Sequence, residues 1–302
     1  MISILIPVYN VSVYSLVQEL SKQLKFIGLE GEILVFDDSS DESFKNLNQP
    51  ITSLEQVSYK ELEKNYGRSA IRTLLAESAR YERLLFLDGD SAIINRNFLA
   101  NYLHAFNNEI AVYVGGRVYV AMQPAACNKR LHWKYGTERE SSRGNTNALH
   151  TNNFSIRKDV FQRLIFPPQL TGYGHEDTWM EIELGKNQKK IEFIDNPILH
   201  EGLEDTSVFL EKTKNALKNL LALAKIFDEK TVRDKVNLFN LYCWQRELGL
   251  EKFISQVLEK RIGKIETNLL SCNPSIFNFD LYRLYYLGEL ANELVKTESY
   301  KN

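Results

Sequence analysis

Along the first half of the chain, short runs of β-branched and aliphatic residues alternate with longer stretches whose apolar positions recur at helical spacing. Residues 2–6, 32–36, 56–59, 83–87 and 110–114 read as strands, and 12–25, 66–80 and 97–106 as helices. Such alternation predicts a mostly parallel sheet covered by helices. After about residue 205 the period becomes helical throughout. Phe209, Ala216, Leu217, Leu220, Leu221 and Ala224 share one face, and Val257, Leu258, Ile262, Ile265 and Leu269 another. An Asn273-Pro274 break precedes a last helix carrying Tyr282, Tyr285 and Tyr286. Between the two regimes, residues 123–147 thin out in aliphatics and gather Lys129, Arg130, Lys134, Arg139 and Arg143 around Trp133 and Tyr135. This segment is expected to be a long irregular connection, either a functional lid or a disordered stretch.

Length and charge narrow the picture. A chain of 302 residues can bury a self-sufficient core. Its formal net charge of -2, with basic and acidic residues interspersed, lacks the footprint of a nucleic-acid binder. Cys127, Cys243 and Cys272 are widely spaced and form no C-x-x-C pattern, so neither a disulfide framework nor a zinc cluster is expected, and a reducing cytoplasm fits. No apolar run approaches the ~20 residues of a membrane span, which leaves docking onto the inner face of a membrane open.

In open α/β sheets ligands bind beyond the carboxyl ends of the strands, so the residues just after each strand carry the functional argument. The first strand ends at Pro7, Tyr9 and Asn10. The second ends at Asp37 and Asp38, with Ser39 to Asp41 available to cap a following helix. Two adjacent acids there leave at least one carboxylate to accept a hydrogen bond from a base. After the fourth strand, Asp88 and Asp90 flank Gly89. An Asp-Gly pair is also a turn signal, yet two carboxylates at this spacing can converge on a hard divalent cation. Such a cation stabilises the charge that develops on a leaving diphosphate. In TGYGHEDTWMEIEL, residues 171–184, a Gly-rich turn delivers Glu176 and Asp177 into the first turn of a helix. The helix dipole favours acids there in any case, while sugar transfer needs a carboxylate to take the acceptor's proton. His200 follows another short apolar run, where imidazole would suit Mn²⁺.

In this order, IPVYN, VFDDSS, NYGRSAIR at 65–72, FLDGD and GYGHEDTWM resemble the family-two glycosyltransferases of the GT-A fold, over about residues 1–204. HTNNFSIRKDVF and NPILHEGLED are similar to a bacterial subgroup with a helical tail. The resemblance implies an α/β fold, a Rossmann-like mixed and mostly parallel sheet flanked by helices at 1–204, followed by an α-helical region at 205–302. It implies that Pro7, Tyr9, Asn10 and Asp38 hold the nucleoside, and that Asn65, Gly67, Arg68, Arg72 and Gly89 line the nucleotide and diphosphate. Asp88 and Asp90 match the D-x-D motif, with Asp90 the direct metal ligand, Asp88 nearer the ribose and His200 a further ligand. Asp177 would be the general base, with Glu176 orienting the acceptor. The family's Q-x-W sequence is absent, and Asn153, His175 and Trp179 stand as acceptor-side candidates.

The expected activity is an inverting, Mn²⁺- or Mg²⁺-dependent transfer from a nucleoside diphosphate sugar, uridine-linked by resemblance, to a glycan or lipid-linked glycan. A bacterial polysaccharide or glycoconjugate pathway and a homodimer are part of the same expectation. A nucleotidyltransferase would need a Gly-rich, basic triphosphate loop where this chain has Pro-Val-Tyr-Asn. A noncatalytic nucleotide-sugar scaffold would have no use for Asp88, Asp90 and Asp177 together.

Overall fold

The computed structural model describes residues 1–141 and 148–299, with side chains described up to residue 296. Among the described residues ten strands form in chain order: β1 Ile2–Val8, β2 Gly31–Asp37, β3 Val57–Glu61, β4 Arg83–Leu87, β5 Ser91–Ala92, β6 Val112–Val114, β7 Arg117–Val118, β8 Asn153–Arg157, β9 Ile191–Phe193 and β10 Ile198–His200. The helices of the first half are α1 Tyr14–Phe26, α2 Glu42–Asn48, α3 Arg68–Ser78, α4 Phe98–Ala105, α5 Arg130–Tyr135, α6 Lys158–Phe161 and α7 Glu176–Lys186. Those of the tail are α8 Thr206–Ile226, α9 Glu229–Lys235, α10 Asn237–Glu247, α11 Glu251–Glu259, α12 Ile262–Leu269 and α13 Ile276–Ser299.

Two compact units result. The first takes in residues 1–121, 137–166 and 183–202, and the second 122–136, 167–182 and 203–302. The tail's unit therefore also includes two segments that the sequence places before residue 204.

The first unit is built on a seven-stranded sheet in the order β3-β2-β1-β4-β8-β6-β9. β1, β2, β3 and β4 run parallel, while β8 is antiparallel to both β4 and β6. β1 is apolar almost throughout because both of its faces are covered. Ile2, Ile4, Ile6 and Val8 pack with Leu16, Val17, Leu20 and Leu24 of α1 in the core, each such side chain contributing about 1.5–3 kcal/mol when fully buried. Leu87 of β4 pairs with Asn153 of β8, which brings the start of β8 to the rim where the parallel strands end.

A three-stranded sheet, β5-β10-β7, completes this unit. Its antiparallel register sets His200 opposite Ser91. That pairing carries Asp90 and His200, far apart in sequence, to one place.

The second unit has its own core of Leu131, Phe209, Leu210, Ile265, Leu269, Phe279 and Tyr282. Leu131 belongs to the segment expected to be irregular, and residues 127–140 are in fact a continuous series of helical turns. Apolar Leu131 and His132, whose ring stacks on Phe209 at 4.5 Å, anchor α5 to the tail. The basic residues of this stretch satisfy local groups. Lys129 pairs with Asp205 at 2.8 Å, Arg130 donates to the carbonyls of Pro124 and Cys272, and Lys134 to that of Pro274. A charged lid made of these three is therefore not what the structure presents. Arg143 lies outside the described residues.

Two further expectations change. The 257–269 stripe is divided between α11 and α12, and Val257 is exposed. Cys127 and Cys272 form a disulfide with Cα atoms 4.4 Å apart. Spacing along the chain conceals it because 145 residues separate the two. The inference of a reducing compartment, drawn from the cysteines, loses its basis.

Candidate active site

At the carboxyl end of β2 both acids are held by the protein. Asp37 is fully buried; it accepts from the Ser40 N–H at 2.7 Å and the Tyr59 hydroxyl at 3.1 Å. Burial, and then Asp37, raise the Tyr59 phenol above its ordinary value. Asp38 accepts from the Tyr66 and Gly67 N–H groups at 2.7 and 2.9 Å, which ties the β2 end to the start of α3. Both carboxylates thus already accept hydrogen bonds from the protein. Each oxygen of Asp38 still has a second lone-pair direction. Asn10 braces the neighbouring loop: its N–H donates to Ser40 Oγ and its Oδ1 accepts from the Asp41 N–H, both at 2.8 Å. Asp41 occupies the N-cap of α2 without a side-chain capping bond.

Pro7 lies within β1, opposite Phe36 of β2. Tyr9, just beyond β1, is exposed, as are Asn65 and Arg68 at the entry to α3. Arg72, one turn into α3, behaves differently. It is buried, and its Nη2 donates to Asp88 Oδ1 at 2.8 Å and to the Thr151 carbonyl at 3.3 Å. The structure thus makes Arg72 a tie between α3, β4 and the β8 entry. Asp88 is fixed a second time by its N–H, which donates to the Asn152 carbonyl at 3.0 Å. Gly89 packs so closely against the β1 end that a Cβ there would meet Val11 and Val13 at 3.1 Å.

Asp90 turns away from this system. Its Oδ1 stands 3.5 Å from His200 Nδ1, and its carbonyl accepts from the Glu201 N–H at 2.9 Å. Burial alone would push the Asp90 carboxyl up. The adjacent His200 ring, with Arg68 and Arg117, outweighs burial and holds its pKa below the ordinary carboxylate value. Gly202 is required here: a Cβ at that position would meet Asp90 Oδ2 at 2.3 Å. Tyr119 sets its ring edge-on to His200 with centroids 5.2 Å apart, and its hydroxyl donates to Glu140, which also pairs with Arg117 at 3.4 Å. Arg117, Tyr119 and Glu140 escaped the sequence reading. Glu140 sits in a mixed-charge stretch and Arg117 in a two-residue strand, so neither carries a local signal.

Among the described residues, no three His, Cys, Asp or Glu side chains converge as a metal cluster. Asp88, with Oδ1 on Arg72, does not complete a trio with Asp90 and His200. The Asp90 and His200 pair nevertheless fits a divalent cation that keeps substrate phosphate or water oxygens as its other ligands. The chemistry of this donor set, with the close approach of the Gly202 backbone, is what qualifies it.

The second unit holds the Gly-rich turn. Gly172, Gly174 and His175 all have positive φ, at 73°, 102° and 67°. A Cβ on Gly174 would fall 2.4 Å from the Ala216 Cβ of α8, so only glycine lets this turn lie so close to that helix. Asn219 of α8 anchors it, donating to the carbonyls of Thr171, Tyr173 and Gly174 and accepting from the Thr171 N–H. Glu176 accepts from the Gly174 N–H at 2.9 Å, and Asp177 Oδ1 from the Thr178 N–H at 2.8 Å. His175 shares a 3.1 Å hydrogen bond with Thr178 Oγ1. Burial pushes its pKa down to about 4, opposed by Asp177 and assisted by Arg283. Asn219 is the second omission of the sequence reading, since one polar residue on a long helix has no distinguishing pattern.

Two acceptor-side candidates are buried. Asn153 is fully buried, accepts from the Tyr102 hydroxyl at 2.7 Å and donates to the carbonyls of Gly116 and Asn196 at 2.9 Å. Its carboxamide is taken up inside the first unit. Trp179 is buried on α7, where its ring offers no open face for stacking.

The mixed, mostly parallel sheet with its helical layers and acid-bearing strand ends is a GT-A glycosyltransferase fold. The model of glycosyl transferase family 2 matches residues 3–165, and the chain belongs to that family. The chain shares its fold with the mannosyltransferase PcManGT of Pyrobaculum calidifontis, solved with GDP-Man and Mn²⁺, at 14% identity and a TM-score of 0.52, covering 74% of this chain and 64% of that one. S. aureus TarS is similar at 19% identity and a TM-score of 0.50, over 73% of this chain and 39% of that one. Glucosyl-3-phosphoglycerate synthase of Mycobacterium tuberculosis, solved with Mn²⁺, UDP and glucosyl-3-phosphoglycerate, is similar at 11% identity and a TM-score of 0.50, over 73% and 78%. The chain thus spans less than two-thirds of the length of the first two. No curated protein matches it.

Proposed function

We propose that this chain is an inverting glycosyltransferase that moves a sugar from a nucleoside diphosphate donor, uridine-linked in the first instance, to a hydroxyl of a glycan or lipid-linked glycan. Synthesis of a bacterial polysaccharide or glycoconjugate is the setting such an acceptor implies. The observation that supports this reading most is the Asp90 and His200 pair at 3.5 Å, drawn together by β5 and β10 beside the nucleotide-type rim. A bound Mn²⁺ or Mg²⁺ would supply Lewis-acid stabilisation of the negative charge that grows on the departing diphosphate. Asp90 and His200 would hold it, and Arg68, in the same electrostatic field as Asp90, would add positive charge. Asp38 would accept the N3–H of a uracil on its remaining lone pairs, and the ordered Asp88 would face the ribose.

Asp177 takes the acceptor's proton in this proposal. The acceptor oxygen forms its bond to the anomeric carbon from the face opposite the diphosphate, and the bond to the diphosphate oxygen breaks with its electron pair. A single displacement inverts configuration. Glu176, bonded to Gly174, holds the turn that presents Asp177. His175, neutral at pH 7 with its pKa at about 4, adds no positive charge beside that base.

The test is a panel of uridine and guanosine diphosphate sugars with simple glycan acceptors, assayed with Mn²⁺, with Mg²⁺ and with EDTA. Transfer that requires the cation and yields the opposite anomeric configuration by NMR is the expected result. Transfer with retention, or undiminished by EDTA, contradicts the proposal.

A further inference from the structure

The tail carries an apolar surface that the proposed chemistry does not use. On α10 and its C-cap, Leu241, Trp244 and Leu248 follow one another at i, i+3 and i+7, and all are exposed, Trp244 at 52%. The stripe continues through the turn at Gly249 into Leu250, Phe253 and Val257, again at i, i+3 and i+7; Phe253 is 65% exposed and is the largest side chain of the three. The opposite sides of these helices do face protein: Phe239, Tyr242, Cys243 and Leu258 are buried. Packing inside the second unit therefore accounts for one side of this helical pair only, and six large apolar side chains at helical spacing on the other are exposed. Isolated exposed apolar residues need no explanation, but a run of this kind does.

The charges around it select the occupant. Between residues 250 and 264 the chain has Lys252, Lys260, Arg261 and Lys264 against Glu251 and Glu259, although the whole chain is net negative. All four basic residues are exposed, and none forms an ion pair among the described residues. Glu247 and Glu229 of the neighbouring helices are by contrast paired with Arg233 and Arg246. Lys260 lies one helical turn beyond Val257 and two beyond Phe253, on the same side of α11. A second copy docking isologously on this face would bring the same unpaired cations together. An anionic bilayer surface would instead receive the aromatic and aliphatic tips at its interface and neutralise the lysines.

We propose that the exposed α10 and α11 side chains, Trp244 and Phe253 foremost, with the exposed Lys252, Lys260, Arg261 and Lys264 of the same stretch of chain, dock this chain peripherally onto an anionic lipid surface. No helix among the described residues is long and apolar enough to cross a membrane, so the attachment is interfacial. A short amphipathic face of this kind gives reversible binding that weakens with salt.

Flotation of the full chain with vesicles of phosphatidylglycerol and phosphatidylcholine, against vesicles of phosphatidylcholine alone, tests this. Binding should require the anionic lipid and fall as NaCl rises. Trp244→Ser with Phe253→Ser should weaken it at least about tenfold, and Lys260→Glu with Arg261→Glu by about fivefold per charge removed. Both pairs are exposed, so unchanged melting curves should accompany the loss, as should unchanged transfer to a soluble acceptor. Equal binding to neutral vesicles, no binding by the wild type, or undiminished binding by the serine variant overturns the proposal. A concentration-dependent dimer in lipid-free buffer that Phe253→Ser dissolves would also overturn it, by assigning the face to a second copy.

Discussion

The rim of the first unit and the Gly-rich turn of the second both display acids, but they hold them by different means. At the rim, Asp37, Asp38 and Asp88 sit at strand ends and are fixed by backbone N–H groups, Tyr59 and Arg72. Their positions follow from the hydrogen-bonded register of a buried sheet. In the turn, Glu176 and Asp177 stand on positive-φ backbone that is kept in place by Asn219 and by close approach to Ala216. A sheet can set a charge constellation that outlasts small perturbations, whereas the turn depends on one carboxamide and one glycine.

The comparison breaks most visibly through chemistry. Asp177→Asn should lower kcat on the order of 10²–10⁴-fold while leaving donor affinity in place. Steady-state kinetics together with calorimetric donor binding separate the two; a near-normal kcat removes Asp177 from the role of base. The next effect is structural. Asn219→Ala leaves the Thr171, Tyr173 and Gly174 carbonyls without that donor and should cost about 2–3 kcal/mol, read by urea denaturation, with the 171–178 backbone gaining hydrogen exchange. Should exchange there stay unchanged, the anchoring role is misassigned.

Smaller still, Gly202→Ala pushes a Cβ into Asp90. Transfer should fall about tenfold, equivalent to ~1.4 kcal/mol, with little change in the melting temperature. A large loss of stability and unaltered metal dependence would instead make Gly202 a purely structural residue.

The smallest effect is in pH. His175 has a pKa of about 4 against an ordinary 6.5, so below 6.5 the unfolded chain takes up a proton that the folded chain refuses. The stability linked to His175 is complete above pH 6.5 and is lost as the pH falls from there towards 4. His175→Asn, which tolerates the same positive φ, should flatten that part of the stability curve. An unaltered slope would show that the ring is not kept neutral by burial.

How much of this was legible in the sequence differs between the same two regions. The strand ends announced themselves, because a strand buried on both faces reads as an apolar run and an acid after such a run stands out, as Asp38 and Asp88 do. The family resemblance carried the order of these motifs and the fold. The turn showed its glycines and its acids but not Asn219, which reaches it from 48 residues away. The same non-locality hid the Cys127 to Cys272 bridge and the Tyr119, Glu140 and Arg117 group behind His200. Arg72 and Asn153 look like ligand contacts in the chain, and the structure buries both and gives each a protein partner. Local pattern reports what a residue can do, while its partners decide what it does.

In the proposed reaction Asp90 and His200 are the pair that couples a divalent cation to the donor diphosphate. Calorimetric titration of UDP or GDP into the wild type and into Asp90→Asn and His200→Ala variants, with Mn²⁺ and with EDTA, tests it directly. Tighter nucleotide binding with Mn²⁺ in the wild type, collapsing to the EDTA value in both variants without a change in fold, is the result predicted. Retention of the full Mn²⁺-dependent gain by either variant would contradict it.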